Sequence, residues 1–281
     1  MIQAGIYHTL TAARKVDFGF YLTDGTTEVL LPTRFVPAGL KEGDELEVFI
    51  YHDSDNRLIA TTQRPKGIIG EIVLLEVVSM TPQGAFVDWG LMKDLFVPKS
   101  QQVARMRQGQ PYLVLIYLDE QTGRVAGTEK FAAYLGNDPL TVREMEQVRL
   151  TVWQKTDIGY KVIVNNRHTG VLHFNEVFRE LSYGEQLTGF VKHIRPDHKI
   201  DVMAGAPGHT RVAQEKERIL QLLREHDGYL PYNDKSPAED IYSFFGMSKK
   251  TFKMTLGNLY KERIISITKT GIKLTIEEEQ I

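Results

Sequence analysis

The residues best suited to contact a polyanion lie close together near the end of the chain. Positions 247–276 hold seven basic side chains and one acidic side chain, Glu262. The basic side chains are Lys249, Lys250, Lys253, Lys261, Arg263, Lys269 and Lys273. Such groups attract phosphates, and lysines do so as point charges rather than as readers of base edges. The whole chain carries 34 Lys and Arg against 36 Asp and Glu, so this basic stretch is a local feature.

The chain holds none of the residue patterns that are typical of an enzyme. It has no Cys, which excludes a disulfide scaffold, a thiolate zinc site and a cysteine nucleophile. Its eight His are scattered without metal-ligand spacing, and we interpret His168 and His173 as independent surface residues. No nucleophile–base motif and no phosphate-binding glycine loop is present. The sequence therefore predicts a non-catalytic protein with no metal, cofactor or small-molecule substrate.

The apolar residues give no sign of a membrane segment. No apolar run approaches the ~20 residues that span a bilayer. Residues 1–16 lack the charged head and the apolar stretch of an export signal. We therefore expect a cytoplasmic protein with no membrane partner.

A repeated pattern of glycines and basic residues organises the first two hundred positions. It consists of a glycine, a second glycine 24 or 25 residues later, and a basic residue 14 or 15 residues after that. The three copies are Gly19, Gly43 and Arg57; Gly84, Gly109 and Arg124; and Gly159, Gly184 and Lys199. We interpret the first glycine of each copy as a kink where a strand bends. The repeat predicts one structural unit built three times.

Each copy has the composition of a small β structure. Short runs of β-branched and aromatic residues, such as residues 46–51, alternate with Gly, Asp and Asn turns. About five strands in 60 to 70 residues predict a barrel, which closes on itself and so leaves no exposed sheet edge.

The residues around the first glycine carry a family resemblance. Two short segments of each copy are similar to the RNA-binding OB barrel named after ribosomal protein S1. The segments around the first glycine are Phe18-Gly19-Phe20-Tyr21, residues 83–88 and Ile158-Gly159-Tyr160, and the later pairs are Leu31-Pro32, Val97-Pro98 and Leu172-His173. That resemblance implies RNA contact through aromatic rings, which stack on bases, and through cations, which follow phosphates. The residues so implied are Phe18, Tyr21 and Arg57 in the first copy, Phe86 and Arg124 in the second, and His173, Arg195 and Lys199 in the third.

No copy keeps the complete set of residues that the resemblance implies. Gln83 and Pro98 replace an aromatic residue and a His in the second copy, and Ile158 and Lys161 replace two aromatic residues in the third. A structural interpretation also fits, in which Tyr21 or Phe86 only fills a barrel and the basic residues only face solvent. Three linked barrels compensate for weak single contacts, because linkage raises the effective concentration of each further contact.

After about residue 205 the apolar period changes from two to about three and a half. The pattern predicts an amphipathic helix around residues 212–223, then a second helix capped by Ser236, with Pro237 at its first position and an end near Gly246. Ser248 is expected to cap a third helix, with Phe252, Leu256 and Leu259 on its apolar face. Two strands around residues 269–271 complete the order that is typical of a winged helix.

In winged helices that bind nucleic acid, the third helix enters a groove and the hairpin contacts the backbone. This resemblance implies contact through Lys249, Lys250, Lys253, Lys269 and Lys273. No Arg, Asn or Gln lies on the first turns of the third helix to read a base sequence. Contact with DNA, general nucleic-acid contact and protein docking all fit this basic face.

The predicted fold is mainly β with a C-terminal α+β domain. It consists of three tandem five-stranded OB barrels at residues 1–65, 66–138 and 139–206 and a winged helix-turn-helix domain at residues 207–281. This architecture resembles the bacterial CvfB (conserved virulence factor B, YitL) family over essentially the whole chain. The resemblance implies a cytoplasmic protein that binds single-stranded RNA and regulates expression of other genes. Two alternatives are a DNA-binding transcriptional regulator that acts through the winged helix and a protein-interaction scaffold of RNA metabolism.

Overall fold

Five-stranded β modules account for most of the chain, and a small helical domain follows them. The computed structural model describes residues 2–177, 179–205 and 208–275. The chain divides into two units between Gly136 and Asn137. The first unit contains two β modules, and the second unit contains a third β module and the helical domain.

The three β modules share one strand order. The first module consists of β1 (Tyr7–Val16), β2 (Gly19–Thr23), β3 (Glu28–Pro32), β4 (Glu45–His52) and β5 (Leu58–Thr61). The second consists of β6 (Ile72–Met80), β7 (Gly84–Val87), β8 (Leu95–Pro98), β9 (Pro111–Asp119) and β10 (Arg124–Thr128). The third consists of β11 (Gln147–Lys155), β12 (Gly159–Val164), β13 (His168–His173), β14 (Gln186–Ile194) and β15 (Ile200–Ala204). The first and third modules are closed barrels in the order β1-β2-β3-β5-β4 and its equivalent, which is the OB arrangement.

The second module differs from the prediction of three closed barrels. Its strands follow the same order, but they form a five-stranded sheet from β10 to β8. In the described part of this module no ladder joins β8 to β10, whereas the equivalent strands pair in parallel in the other two modules. The predicted fold class is otherwise confirmed.

The first glycine of each repeat lies where two strands approach closely. A Cβ atom at Gly19, Gly84 or Gly159 would lie only 2.1–2.3 Å from a carbonyl oxygen of the next strand. Those oxygens belong to Leu31, Val97 and Leu172. Glycine is therefore required at these positions because any side chain would push the two strands apart, and not because of the predicted kink.

The second glycine of each repeat makes a turn before the fourth strand of its module. Gly43, Gly109 and Gly184 have φ of 91°, 74° and 76°, in the region that favours glycine. Each donates its N–H to a carbonyl of the first strand at 2.8 Å. The acceptors are Ala12, Val77 and Val152, and the first strand has a bulge after each of them. The repeated spacing therefore encodes a repeated turn and bulge.

Phe49, Tyr51 and Ile59 of the first module belong to the hydrophobic core of the second module, while the first barrel has a separate core of its own. Phe49 on β4 packs edge-to-face against Trp89 of the second module, with 5.5 Å between ring centroids. The backbone N–H of Ile69 donates to the carbonyl of Gly5 at 3.0 Å across the same junction. Shared apolar burial of this kind holds two modules in a fixed orientation.

The helical domain has the predicted winged-helix order with one additional short strand. Its elements are α1 (Gly208–Glu225), β16 (Tyr229–Leu230), α2 (Ala238–Phe245), α3 (Lys249–Lys261), β17 (Ile265–Ile267) and β18 (Ile272–Leu274). The short strands form a sheet in the order β16-β18-β17. Phe252, Leu256 and Leu259 are buried in the domain core, as their helical spacing predicts. No helix among the described residues is long and apolar enough to cross a membrane.

The helix starts of this domain are predicted correctly in one case and wrongly in the other. Ser248 caps α3, because its side chain accepts the N–H of Thr251 at 3.0 Å. The prediction that Ser236 caps α2 is wrong: the N-cap is Pro237, and the Ser236 hydroxyl instead accepts the N–H of Asn233. The predicted domain boundary after residue 206 falls on residues 206–207, outside the described residues.

Candidate nucleic-acid interface

In the first module the predicted aromatic residues lie together. The Phe18 side chain is 56% exposed, and its ring meets that of Tyr21 edge-to-face at 6.4 Å. The guanidinium of Arg14 lies 3.9 Å from the centre of the Tyr21 ring, because the two residues pair across β1 and β2. Arg14, which also forms an ion pair with Glu28, is not among the residues predicted from the sequence. This group offers an exposed ring beside a cation.

The basic residue predicted for the first module is held by carboxylates. The Arg57 guanidinium lies 2.8 Å from both Asp53 and Asp55. Burial opposes ionisation of Asp53, but hydrogen bonds from Arg57 lower the pKa of this carboxyl below its usual value. A phosphate that contacted Arg57 would have to compete with these two carboxylates.

In the second module two aromatic rings face a cleft. Phe86 on β7 and Phe96 on β8 are directly paired in the strand register, with 5.0 Å between ring centroids. Both are half-buried and both line a cleft of about 510 Å³. Phe86 is predicted from the sequence, but Phe96 is not, because its only signal is its alternation with the buried residues Leu95 and Val97.

The basic residue of the second module lies at the same cleft. Arg124 begins β10 and is exposed. Among the residues that the structure describes, no carboxylate forms an ion pair with its guanidinium. The nearby Asp119 carboxylate instead accepts hydrogen bonds from Gln121 N–H and the Thr122 hydroxyl within its own turn. The Arg124 guanidinium is therefore available to an external anion.

In the third module one carboxylate brings two of the three predicted residues together. Arg195 donates two hydrogen bonds of 2.8 Å to Asp201, and His173 lies 3.0 Å from the same carboxylate. Burial opposes ionisation of Asp201, but these two partners lower its pKa. Lys199 pairs separately with Asp197 at 2.7 Å. All three predicted contacts therefore have acidic partners within the module.

Two residues of the third module differ from their expected setting. His168 is fully buried and its Nε2 atom lies 2.7 Å from the Thr141 hydroxyl, so its interpretation as a surface residue is wrong. Lys161, at a position where the barrel family has an aromatic residue, lies 4.1 Å from the centre of the Trp153 ring. The strand that precedes the glycine thus supplies an aromatic ring that the sequence pattern does not reveal.

The predicted lysines of the winged helix are mostly exposed. Lys250 and Lys253 lie on α3, Lys269 at the hairpin and Lys273 on β18, all with exposed side chains. Lys249 is half-buried and reaches the carbonyl of Lys235 at 3.5 Å. The exposed face of α3 also carries two residues that are not predicted from the sequence, Met254 and Tyr260, which are 49% and 57% exposed. This face therefore combines cations with apolar surface.

Among the residues that the structure describes, no group of three or more His, Asp or Glu side chains is placed to hold a metal ion. The candidate interface consists of aromatic rings and cations on β barrels, together with a basic helix. Aromatic platforms beside cations are the combination that binds single-stranded nucleic acid.

Comparison with known proteins agrees with this geometry. The S1 domain matches residues 4–63 and 69–129, and the CvfB-like winged helix domain matches residues 217–274. The protein named YitL from Bacillus subtilis is 31% identical over 269 residues, which covers 92% of this chain and 90% of the relative. The chain belongs to the family of YitL and conserved virulence factor B.

Two further proteins are similar to this chain. Conserved virulence factor B of Staphylococcus aureus is 28% identical over 254 residues, covering 84% of this chain and 81% of the relative. A crystal structure from Streptococcus pneumoniae, described as a multidomain protein with nucleic acid binding domains, is 21% identical. That likeness covers 96% of this chain and 98% of the other, with a TM-score of 0.42.

The family match confirms the resemblance inferred from the sequence. Within this CvfB-family chain the S1 matches cover the first two modules, and the third module has the same strand order. The S1 domains indicate nucleic-acid binding.

Proposed function

We propose that this CvfB-family protein binds single-stranded RNA through its tandem barrels and regulates gene expression after transcription, without catalysis. The proposal places the protein in the cytoplasm. The observation that carries it is the second module, where Phe86, Phe96 and Arg124 line one cleft and the guanidinium has no ion-pair partner among the described residues. Rings of this kind stack on bases for about 1–3 kcal/mol per base.

The second module is the main contact in this proposal. Arg57 and Arg195 lie at comparable hairpins, but each is already paired with a carboxylate of its own module. A phosphate gains less from such a cation, because it must displace an internal partner or accept a nearby negative charge. The first and third modules then add weaker contacts, through Phe18 and Tyr21 and through His173, Arg195 and Lys199.

A second candidate function belongs to the winged helix. Its exposed lysines on α3, Lys250 and Lys253, favour contact with DNA or with an acidic partner protein. Lys249, Lys269 and Lys273 belong to the same candidate contact. Lysines without bidentate base readers suit phosphate contact without sequence preference.

Substitution of two residues of the second module tests the main proposal. Phe86→Ala combined with Arg124→Ala should lower the affinity of the full chain for an unstructured oligouridylate by more than about 1 kcal/mol, roughly five-fold or more. Fluorescence anisotropy at low salt measures the affinity, and circular dichroism checks that the variant is folded. The matched control replaces Arg57 by Ala, with the same loss of charge from a guanidinium that is already paired.

Two results would contradict the proposal. If the unsubstituted chain does not bind oligouridylate at low salt, the barrels do not bind single-stranded RNA. If Arg57→Ala lowers the affinity as much as the double variant does, the second module is not the main contact.

A further inference from the structure

The cleft of the second module extends to the first module. One wall comes from the end of β4 and its hairpin, through Tyr51, His52 and Ser54. The other walls come from β7, β8 and β10 of the second module. Strands β8 and β10, between which no hydrogen-bonded ladder forms, both line this cleft. Its volume of about 510 Å³ is in the range of pockets that hold small organic groups.

The junction that forms this pocket is held in place from both sides. Lys93, in the loop between β7 and β8, donates from Nζ to the backbone carbonyl of Asp53 at 2.7 Å. Trp89 of the same loop packs on Phe49 within the core of the second module. The pocket is therefore a fixed feature of the first unit, and a ligand would not have to bring the two modules together.

Two cations and an imidazole line the pocket. The His52 imidazole and the Lys93 ammonium are both half-buried, and Arg124 is exposed. Burial and the neighbouring cations lower the pKa of His52, and burial and Arg124 lower the pKa of Lys93, while Asp53 opposes both effects. Because the pKa of His52 lies below its ordinary value, its imidazole is neutral near pH 7. The two cations, Lys93 and Arg124, repel each other at a partly buried site and therefore gain from a bound anion.

A buried polar atom at the same place has no partner. The Nδ1 atom of His52 is buried and makes no hydrogen bond with any described residue. Two acids also line the pocket, but Asp119 is engaged by its own turn, and burial and Asp88 raise the pKa of Asp94. Neither acid forms an ion pair with the three basic groups within the described chain.

We propose that this junction pocket binds one nucleotide of the RNA strand, with its base against Phe86 and Phe96 and its phosphate between Lys93 and Arg124, beside His52. This inference rests on the proposed function and adds to it residues from the first module and from the β7–β8 loop. It makes the first two modules one composite site that a single strand crosses. The pocket combines an aromatic wall, which suits a base, with two lining cations, which suit a phosphate.

The test uses the full chain and an oligouridylate of about 12 nucleotides. Lys93→Met removes the charge and keeps most of the apolar stem. We expect about a five-fold loss of affinity, and a slope of log affinity against log salt that is smaller by about 0.7, the value for one phosphate contact on a single strand. The matched control is Lys41→Met. Lys41 is exposed and precedes the first residue of β4, whereas the pocket is lined by the last residues of that strand, so this substitution should change neither the affinity nor the slope.

Because Lys93→Met also removes the hydrogen bond to the carbonyl of Asp53, a second pair of variants tests the pocket with Lys93 unchanged. Ser54 is exposed at the hairpin and lines the pocket, so its replacement does not disturb the core. Ser54→Glu should repel the phosphate and weaken binding about five-fold, whereas Ser54→Ala should leave the affinity unchanged. Equal melting temperatures of the Ser54 variants separate this effect from unfolding.

The outcomes distinguish the two proposals. Binding by the unsubstituted chain, together with no effect of Lys93→Met and of Ser54→Glu, would overturn the junction pocket and leave the proposed function in place. Absence of binding by the unsubstituted chain would overturn the proposed function itself. Loss of affinity in Lys93→Met and Ser54→Glu, with unchanged Lys41→Met and Ser54→Ala, supports the junction pocket.

Discussion

Arginines at comparable hairpins of the three modules differ in their acidic neighbours. Arg57 is held by Asp53 and Asp55, and Arg195 is held by Asp201, whereas Arg124 has no such partner among the described residues. Asp119 is close enough in sequence to pair with Arg124, but its oxygens accept hydrogen bonds from Gln121 and Thr122. Whether each arginine is available to an external anion therefore depends on whether the nearest carboxylate forms an ion pair with it or accepts hydrogen bonds from other groups.

Substitution of Asp201 by Asn should destabilise the third module in a pH-dependent way. The carboxylate accepts two hydrogen bonds from Arg195, and charge-assisted bonds of this kind contribute about 1.5–3 kcal/mol. Since the folded-state pKa of Asp201 lies below the usual value of 3.8, its stabilisation is fully present above that pH and is lost as the pH falls through the folded-state pKa. Urea denaturation at pH 7 and pH 3, followed by fluorescence of Trp153, measures both effects. A difference between the two proteins that is equally large at both pH values would contradict this account.

At the level of strands, the repeated glycines mark two backbone features, a close approach of two strands and a turn. The first glycine permits close approach of the second and third strands, and the second glycine makes the turn that bonds to the bulged first strand. Because both features require glycine at a fixed place in the module, the glycine spacing marks their positions in each copy.

Gly84→Ala should strongly destabilise the second module. The added Cβ would lie 2.3 Å from the carbonyl oxygen of Val97 and 2.9 Å from the Phe96 ring, so β7 and β8 would have to separate. We expect a loss of more than about 2 kcal/mol. Gly136→Ala is the matched control, since no described atom lies within 4 Å of the new Cβ, and its effect should stay within about 0.5 kcal/mol. Urea denaturation followed by the buried Trp89 measures both; equal stability of the two variants would show that the close approach is unimportant.

Features that depend on neighbouring residues can be predicted from this sequence, whereas contacts between residues distant in the sequence cannot. Strands, turns and the α3 cap follow from local patterns, and the family resemblance names Phe86 and Arg124 by position. Phe96 joins the site only through the β7–β8 register, and Lys93 only through packing of one module on another. No sequence pattern indicates that the hydrogen-bonded ladder between β8 and β10 is missing.

For the whole molecule, the important feature is that several weak contacts are linked in one chain. The first two modules pack on each other at a fixed junction. In the proposed function, a strand that crosses them would meet two sets of contacts without further ordering of the protein. In the same proposal, the third module and the winged helix, which follow on the same chain, would add further contacts at raised effective concentration.

Linked contacts predict a steep dependence of affinity on RNA length. An OB barrel contacts as few as about 4 nucleotides, so oligouridylates of about 4 to about 16 nucleotides should pass from one module to several. The number of ways to place a short site on a longer strand grows only in proportion to length, whereas a second simultaneous contact multiplies the affinity by up to about 10² to 10⁴. We therefore expect anisotropy titrations to show a rise well above proportionality, and the rise should be smaller in the Phe86→Ala, Arg124→Ala variant because it lacks the main contact. An affinity that only doubles when the length doubles would mean that one module binds alone and that the tandem arrangement serves another purpose.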